Sequence, residues 1–233
     1  METQNEMMAE MARGALYGQS RAKAYLSKVY AWMSITMLVT VAVSVYSTHD
    51  MELMRWILEH LLLLGISSLV IVLIMSFGSL MLSYSLLVGL LMAYATVTGL
   101  IFGPVLMAYT QQTLTLAFAC TAGTFGVMAF IGACTKRNLS TMGGALLMSL
   151  IGLIIASIIN CFWGNGMMDF IICCAGVLIF SLFTAYDTQK LLEQGMKLEG
   201  EHRKKMAILG ALTLYLDFIN LFIYILRLLA RRD

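Results

Sequence analysis

The chain has 233 residues, of which 60% are hydrophobic and only 12% charged, with a formal net charge of +2 and a mean hydropathy of +0.85. So little charge cannot cover a domain of this size in water, which excludes a soluble globular protein. The near-neutral balance, with basic residues at the ends of apolar runs instead of along a stripe, excludes a nucleic-acid binder.

Residues 1–28, METQNEMMAEMARGALYGQSRAKAYLSK, carry both charge signs, no short apolar core and no small-residue cleavage site. They are not a signal peptide, and they read as a cytoplasmic N-terminal segment ahead of a transmembrane domain at 29–233. A helix needs about 20 apolar residues to cross a bilayer core. Seven runs reach that length: 29–47, 57–77, 80–102, 112–133, 142–163, 168–188 and 206–230. They are continuous, not alternating segments of about ten residues, so helices and not barrel strands are expected. The fold class is an all-α membrane protein, a bundle of seven transmembrane helices.

Glu59 and His60 open the second run and are candidates for lining an outer vestibule; His49, His60 and His202 otherwise read as solvated or interfacial. The third run ends in TGLIFGPVL, where Gly99 and Gly103 allow close helix approach and Pro104 is expected to end or kink the helix. Gly143, Gly144 and Gly152 in the fifth run read as packing positions too. Cys120, Cys134, Cys161, Cys173 and Cys174 lack metal-ligand spacing and read as small apolar fillers. The 19 methionines are scattered, which suits packing better than a soft-metal path.

Basic residues mark topology. Four lie before the first run (Arg13, Arg21, Lys23, Lys28), two between the fourth and fifth (Lys136, Arg137) and five between the sixth and seventh (Lys190, Lys197, Arg203, Lys204, Lys205). The positive-inside rule places these, and the N-terminus, in the cytoplasm. On the opposite side lie Arg55 and a C-terminal trio, Arg227 near the end of the last run and Arg231 and Arg232 after it, so either the inner bias prevails or that run dips in and returns.

Of the 13 acidic residues, only Asp187, in SLFTAYDTQKL, and Asp217, in ALTLYLDFINLF, lie inside apolar sequence. An Asp at helix centre costs about 2.5–3.5 kcal/mol on insertion scales, so it faces a bundle interior or a wet cavity. The plain alternative is a hydrogen-bonded Asp that holds helices together, with Tyr186, Tyr215 or Asn220 as partner; two such residues in consecutive runs favour function. At a separation of about 4 Å, two carboxylates cannot both ionise cheaply, and the pair would hold one proton and titrate as a unit. Without that proton it becomes an oxygen-rich anionic site suited to a hard cation such as calcium. Thr213 and Asn220, at i−4 and i+3 from Asp217, form a polar stripe that makes the last helix an interior one. One tension is geometric: Asp217 lies 12 residues after Lys205 and Asp187 only three before Lys190. Either the first turns of the last helix protrude into the cytoplasm or Lys190 snorkels.

SLFTAYDTQKL, ALTLYLDFINLFIYILRLL and TGLIFGPVL, with the basic turn at Lys136 to Leu139, resemble the Bax inhibitor-1 family, the transmembrane Bax inhibitor motif proteins. The resemblance runs from the first span to the last helix. It implies a C-terminal helix wrapped by the other six and a pH-sensitive calcium leak. The family's paired aspartates fall on Asp187 and Asp217, as the cation-binding and pH-sensing site, with acid favouring a more open or less calcium-loaded state. Tyr186, Asn220, Thr213 and Lys190 are the supporting candidates. Similar bacterial members carry a basic cluster at the inner end of helix two, with an arginine that latches the pair; here residues 77–84 read FGSLMLSY, without charge. Closure then rests on packing or on Lys190.

Two other classes compete. Intramembrane aspartyl proteases also use two aspartates on neighbouring helices, but their second follows Gly-x-Gly where this chain has LYLD, and its single proline leaves no late Pro-Ala-Leu motif. A non-transporting regulator would bind a cell-death factor or membrane protease through helix contacts. A coupled exchanger lacks support from any inverted repeat. The sequence therefore reads as a non-enzyme with no cofactor, whose partners are the lipid bilayer, calcium and protons, with a membrane protein as a further candidate, in a bacterial inner membrane more readily than an internal eukaryotic one.

Overall fold

The computed structural model describes residues 2–78, 81–135 and 137–231; Lys136, Arg232 and residues 79–80 of FGSLMLSY lie outside the described residues. The chain forms α1 (Glu2–His49), α2 (Met51–Glu59), α3 (Leu61–Gly78), α4 (Tyr84–Ala108), α5 (Gln111–Cys134), a 3₁₀ turn at Leu139–Met142, α6 (Gly143–Trp163), α7 (Gly166–Lys197) and α8 (Gly200–Leu229). Seven of these helices, all but α2, are long and apolar enough to cross a membrane.

Several boundaries differ from the apolar runs, each for a physical reason. The helix of the first run begins far earlier, and Ala22 and Tyr25 are buried, so the end of the polar N-terminal segment belongs to the bundle. The second run is divided: Asp50 caps α2, its Oδ1 accepting from the Glu52 and Leu53 amides. α2 is amphipathic, with Met54 and Ile57 buried and Glu52, Arg55 and Glu59 exposed, and the chain breaks at His60 before α3. His60 stacks on Trp56 and Glu59 is exposed, so neither lines an enclosed vestibule. Pro104 does not end its helix, because α4 carries on to Ala108. α7 and α8 both outrun the hydrophobic core: 32 residues at 1.5 Å each make α7 about 48 Å long against about 30 Å of hydrocarbon.

That excess resolves the depth tension. The last turns of α7, from Lys190 to Lys197, and the first of α8, through Arg203 to Lys205, project together as one antiparallel hairpin turned at Leu198 and Glu199. Gly200 takes φ 58° there, a left-handed conformation open to glycine at little cost. At the turn of the hairpin Arg21 of α1 pairs with Glu199 at 2.7 Å and donates to the Leu198 carbonyl, and Arg203 donates to the carbonyl of Arg21 at 2.5 Å. At the far end α8 is unbroken, so the last run does not turn back on itself and is long and apolar enough to cross. Arg227 pairs there with Asp169 in the first turn of α7, and Arg231 donates to the Gly166 carbonyl. The C-terminal arginines thus have a carboxylate waiting for them, which the charge tally alone left unexplained.

α8 occupies the centre, with Leu214, Tyr215, Asp217, Leu221 and Leu226 among its buried residues. It packs chiefly on α7, α1, α5 and α4, while α3 stands outside α4 and α6 outside α7. Close approach comes from glycine. A Cβ on Gly99 would stand 2.8 Å from the Thr40 carbonyl and from Val43, and one on Gly103 would run into the Ser47 hydroxyl, which brings α4 onto α1. Gly132 of α5 presses on the Ala185 carbonyl of α7, and a Cβ on Gly210 of α8 would stand 2.5 Å from the Leu191 side chain. Gly143 faces the Tyr186 hydroxyl, but Gly144 and Gly152 meet nothing within 4 Å, so the packing role expected for them is not seen. Of the cysteines only Cys173 is buried; Cys120, Cys134 and Cys161 are exposed on the outer surface and all five are free thiols.

A buried polar node joins α1 to α8. Thr36, Thr40, Ser44 and Ser47 are all buried at helical spacing along α1. The Thr40 hydroxyl bonds the Tyr215 hydroxyl at 2.7 Å, and Tyr94 meets the Tyr215 ring edge-on at 5.8 Å. Tyr30 of α1 likewise reaches Thr188 of α7 at 3.4 Å.

Two predictions follow from the packing. Gly132→Ala should lower the thermal midpoint in detergent, by an overpacking cost of about 1–3 kcal/mol, because the obstacle is backbone. Gly123→Ala on the same helix, with open space around it, should be neutral or slightly stabilising; equal melting of the two variants would refute the α5–α7 contact. In a double-mutant cycle, Thr40→Val and Tyr215→Phe should each cost about 1 kcal/mol and together clearly less than the sum, whereas strict additivity would mean that the two hydroxyls do not meet.

Candidate functional site

The hairpin register brings the two intramembrane carboxylates together. Along it Arg227 faces Asp169, Tyr224 packs on Gly176 and Leu191 packs on Gly210, so Asp217 falls opposite Asp187. The two carboxyl groups stand within hydrogen-bonding reach of each other. Both are buried, Asp187 8% exposed and Asp217 5%. Ionised carboxylates only accept, so a hydrogen bond between two of them requires a proton on one. Oδ2 of Asp217 has no hydrogen-bond partner among the described residues.

The position of each carboxylate is over-determined. On the α7 side, the glycine contact of Gly132 with the Ala185 carbonyl fixes the backbone two residues before Asp187. Thr188, the next residue, is fully buried and tied to Tyr30 of α1. On the α8 side, Tyr215 is tied to Thr40 two residues before Asp217, and Phe218, the next residue, packs against Phe125 of α5 with ring centroids 5.5 Å apart. Four helices therefore hold the pair: α7 and α8 carry it, and α1 and α5 brace it.

The supporting residues fare unevenly. Lys190, one turn beyond Asp187 and exposed, is the cation that acts on Asp187 electrostatically, with its Nζ 5.7 Å from the centre of the Tyr186 ring. It forms no ion pair with either aspartate, and among the described residues no cation does. Tyr186 turns away from the pair, its hydroxyl against Gly143 of α6. Thr213 and Asn220 bond the carbonyls of their own helix, at Leu209 and Leu216, and are not joined to the pair. The stripe drawn through them is real as a spacing and separate as a bonding network. What sequence reasoning overlooked is the hydroxyl set of α1, Thr36, Thr40, Ser44 and Ser47. Its spacing of four, four and three residues was a readable signal that α1 turns a polar face inward.

As a cation site the pair is sparse. Calcium takes six to eight oxygen ligands, and two carboxylates supply four at most. No cluster of three or more His, Cys, Asp or Glu side chains able to hold a metal ion occurs among the described residues. Such a site fits a passing ion that keeps part of its water shell, not a tightly held one.

The family described as "Inhibitor of apoptosis-promoting Bax1" matches residues 22–233. The inner membrane protein YbhL of Escherichia coli (strain K12) is 37% identical over 214 residues, covering 89% of this chain and 92% of its own. A protein of Deinococcus radiodurans is 34% identical over 214 residues, covering 91% and 93% of the two chains, and one of Borreliella burgdorferi is 35% identical over 218 residues, covering 89% and 92%. With both its length and its seven apolar helices accounted for in this way, the chain is a multi-pass membrane protein and belongs to the Bax inhibitor-1 family.

Proposed function

We propose that this protein is a pH-sensitive calcium leak, with Asp187 and Asp217 as the site where cation and proton compete. The observation that carries the reading is the meeting of two buried carboxyl groups from consecutive helices at hydrogen-bonding distance. Intramembrane ionisable residues are costly and tend to mark ion and proton pathways, and a structural bond alone would be met by one carboxyl and a neutral partner. The protein is not an enzyme in this reading and needs no resident cofactor; calcium is its cargo.

The mechanism follows from charge. With one proton shared, the pair carries a single negative charge and holds calcium weakly, so the ion can leave. Once that proton is lost, two adjacent carboxylates repel each other and attract a divalent cation, which binds and bridges them. Acid therefore favours the less loaded, conducting state, and higher pH favours charge, loading and closure, the direction that the family resemblance implies. A weak, partly hydrated site suits permeation, which needs entry without trapping. Because no cation among the described residues latches the pair, closure rests on the packing of α1 and α5 against the hairpin, with Lys190 biasing the charge. The positive-inside rule orients the basic end, with Arg21, Lys190 and Arg203 to Lys205, toward the cytoplasm, and the Asp169–Arg227 end outward. The naming of an inner membrane relative supports a bacterial inner membrane as the host.

The test is calcium flux into proteoliposomes across about pH 5 to 8, with the Asp187→Asn and Asp217→Asn double variant beside the native protein. A one-proton switch changes occupancy tenfold per pH unit outside its range, so native flux should rise by about tenfold toward acid and the variant should lose that slope. Absence of flux above empty liposomes at every pH, from protein shown to be folded, would sink the leak and leave the aspartates as interhelix bonds in a bundle that binds a membrane partner.

A further inference from the structure

A lateral crevice opens beside the pair. α4 and α5 are joined only by Tyr109 and Thr110, and below that link they part, leaving α8 visible between α1 and α4 on one side and α5 on the other. The crevice encloses about 290 Å³. Its wall is formed by Met37, Val41, Val45, Phe102 and Phe118, and its floor by Phe218 and Phe222. Thr40 and Ser44 at its back and Thr115 of α5 at its rim are the polar residues of the lining, and the Thr40 hydroxyl is already engaged by Tyr215.

Depth and rim decide what could enter. The lining residues of α1 lie four to twelve residues from the end of that helix, and those of α8 seven to eleven from theirs, about 6–18 Å in at 1.5 Å per residue. That is within the apolar spans, below the level at which water meets the bundle. The rim is apolar and outward facing, with Val41 50%, Val45 44% and Phe118 49% exposed, so the opening is continuous with the surface that the bundle presents to hydrocarbon. Water gains little in such a space, because it needs two to four polar partners, and the three hydroxyls of an otherwise apolar lining already bond within the protein. A flexible hydrocarbon chain is the molecule that reaches the opening and matches its chemistry.

We propose that this crevice is a binding site for one acyl chain of a bilayer lipid, which inserts between α1 and α5 and rests on Phe218 and Phe222. The inserted chain fills the void next to the helix turn that carries Asp217 and holds α5 apart from α4. The site stands whether or not the protein conducts calcium.

The experiment uses the full-length protein in phosphatidylcholine vesicles doped with a phosphatidylcholine that carries a diazirine at mid-chain, followed by illumination and peptide mapping. Insertion predicts adducts on the floor residues Phe218 and Phe222, which are buried beneath the rim, alongside adducts on the fully lipid-facing Leu62 and Leu69 of α3. Val41→Trp, which fills the mouth, should abolish floor labelling and leave α3 labelling unchanged. Thr115→Trp, from the opposite rim, should do the same and stands in if the first variant fails to fold. Labels confined to exposed residues, with the floor clean, would overturn the proposal. So would floor labelling that persists in both folded variants, or that comes equally from a water-soluble diazirine.

Discussion

A carboxyl group in hydrocarbon has no favourable place on the outside of a bundle, and from that constraint the arrangement of the helices follows. α8 carries Asp217 near its middle, so it must be enclosed. Enclosure in turn demands a close wall, and a close wall is built where glycines replace side chains. Gly99 and Gly103 seat α4 on α1, Gly132 seats α5 on α7, and Gly210 seats α8 on α7. Without hydrocarbon to hide from, none of these contacts would have a reason to be so short; packing and hydrogen bonds, not water exclusion, hold membrane helices together.

The α7–α8 hairpin is clamped at both ends by ion pairs, Arg21 with Glu199 at one and Arg227 with Asp169 at the other. Between these anchors lies a stretch whose polar atoms face inward and whose bracing comes from neutral hydroxyls and aromatic rings. Charge therefore fixes the ends, where water screens and accommodates it, and the interior holds the meeting of Asp187 with Asp217. A change in that contact has to be absorbed by α1 and α5, which touch the hairpin without an ion pair at the level of the aspartates.

Much of this was legible in the chain. Continuous apolar runs revealed the seven spans, and two acidic residues in apolar sequence named the pair, because hydrocarbon makes both signals strong. Boundaries were less legible. Residues 22–28 look polar, yet Ala22 and Tyr25 are buried against the projecting hairpin, a contact no local pattern reveals. His60 breaks an apolar run because α2 turns along the bundle's end, which is a tertiary fact. Thr213 and Asn220 share the face of Asp217 by spacing, but each satisfies its hydrogen bond within its own helix, an option every membrane Thr and Asn has. Gly144 and Gly152 mark the same limit from the other side, since glycine permits close approach and does not compel it. The hydroxyl series of α1 was the reverse case: single Ser and Thr residues in apolar sequence are common, and only their period distinguishes an inward face.

The central helix is also the last of the seven to leave the ribosome. Six wall helices must enter the membrane before their common core exists, so the growing bundle passes through a stage with a vacant centre and with Thr40 and Phe125 facing no partner on α8. Assembly is then completed in one closing event, when the finished α8 threads its aspartate past lipid into the waiting wall. A chain cut short before α8 would lose not an edge but its core.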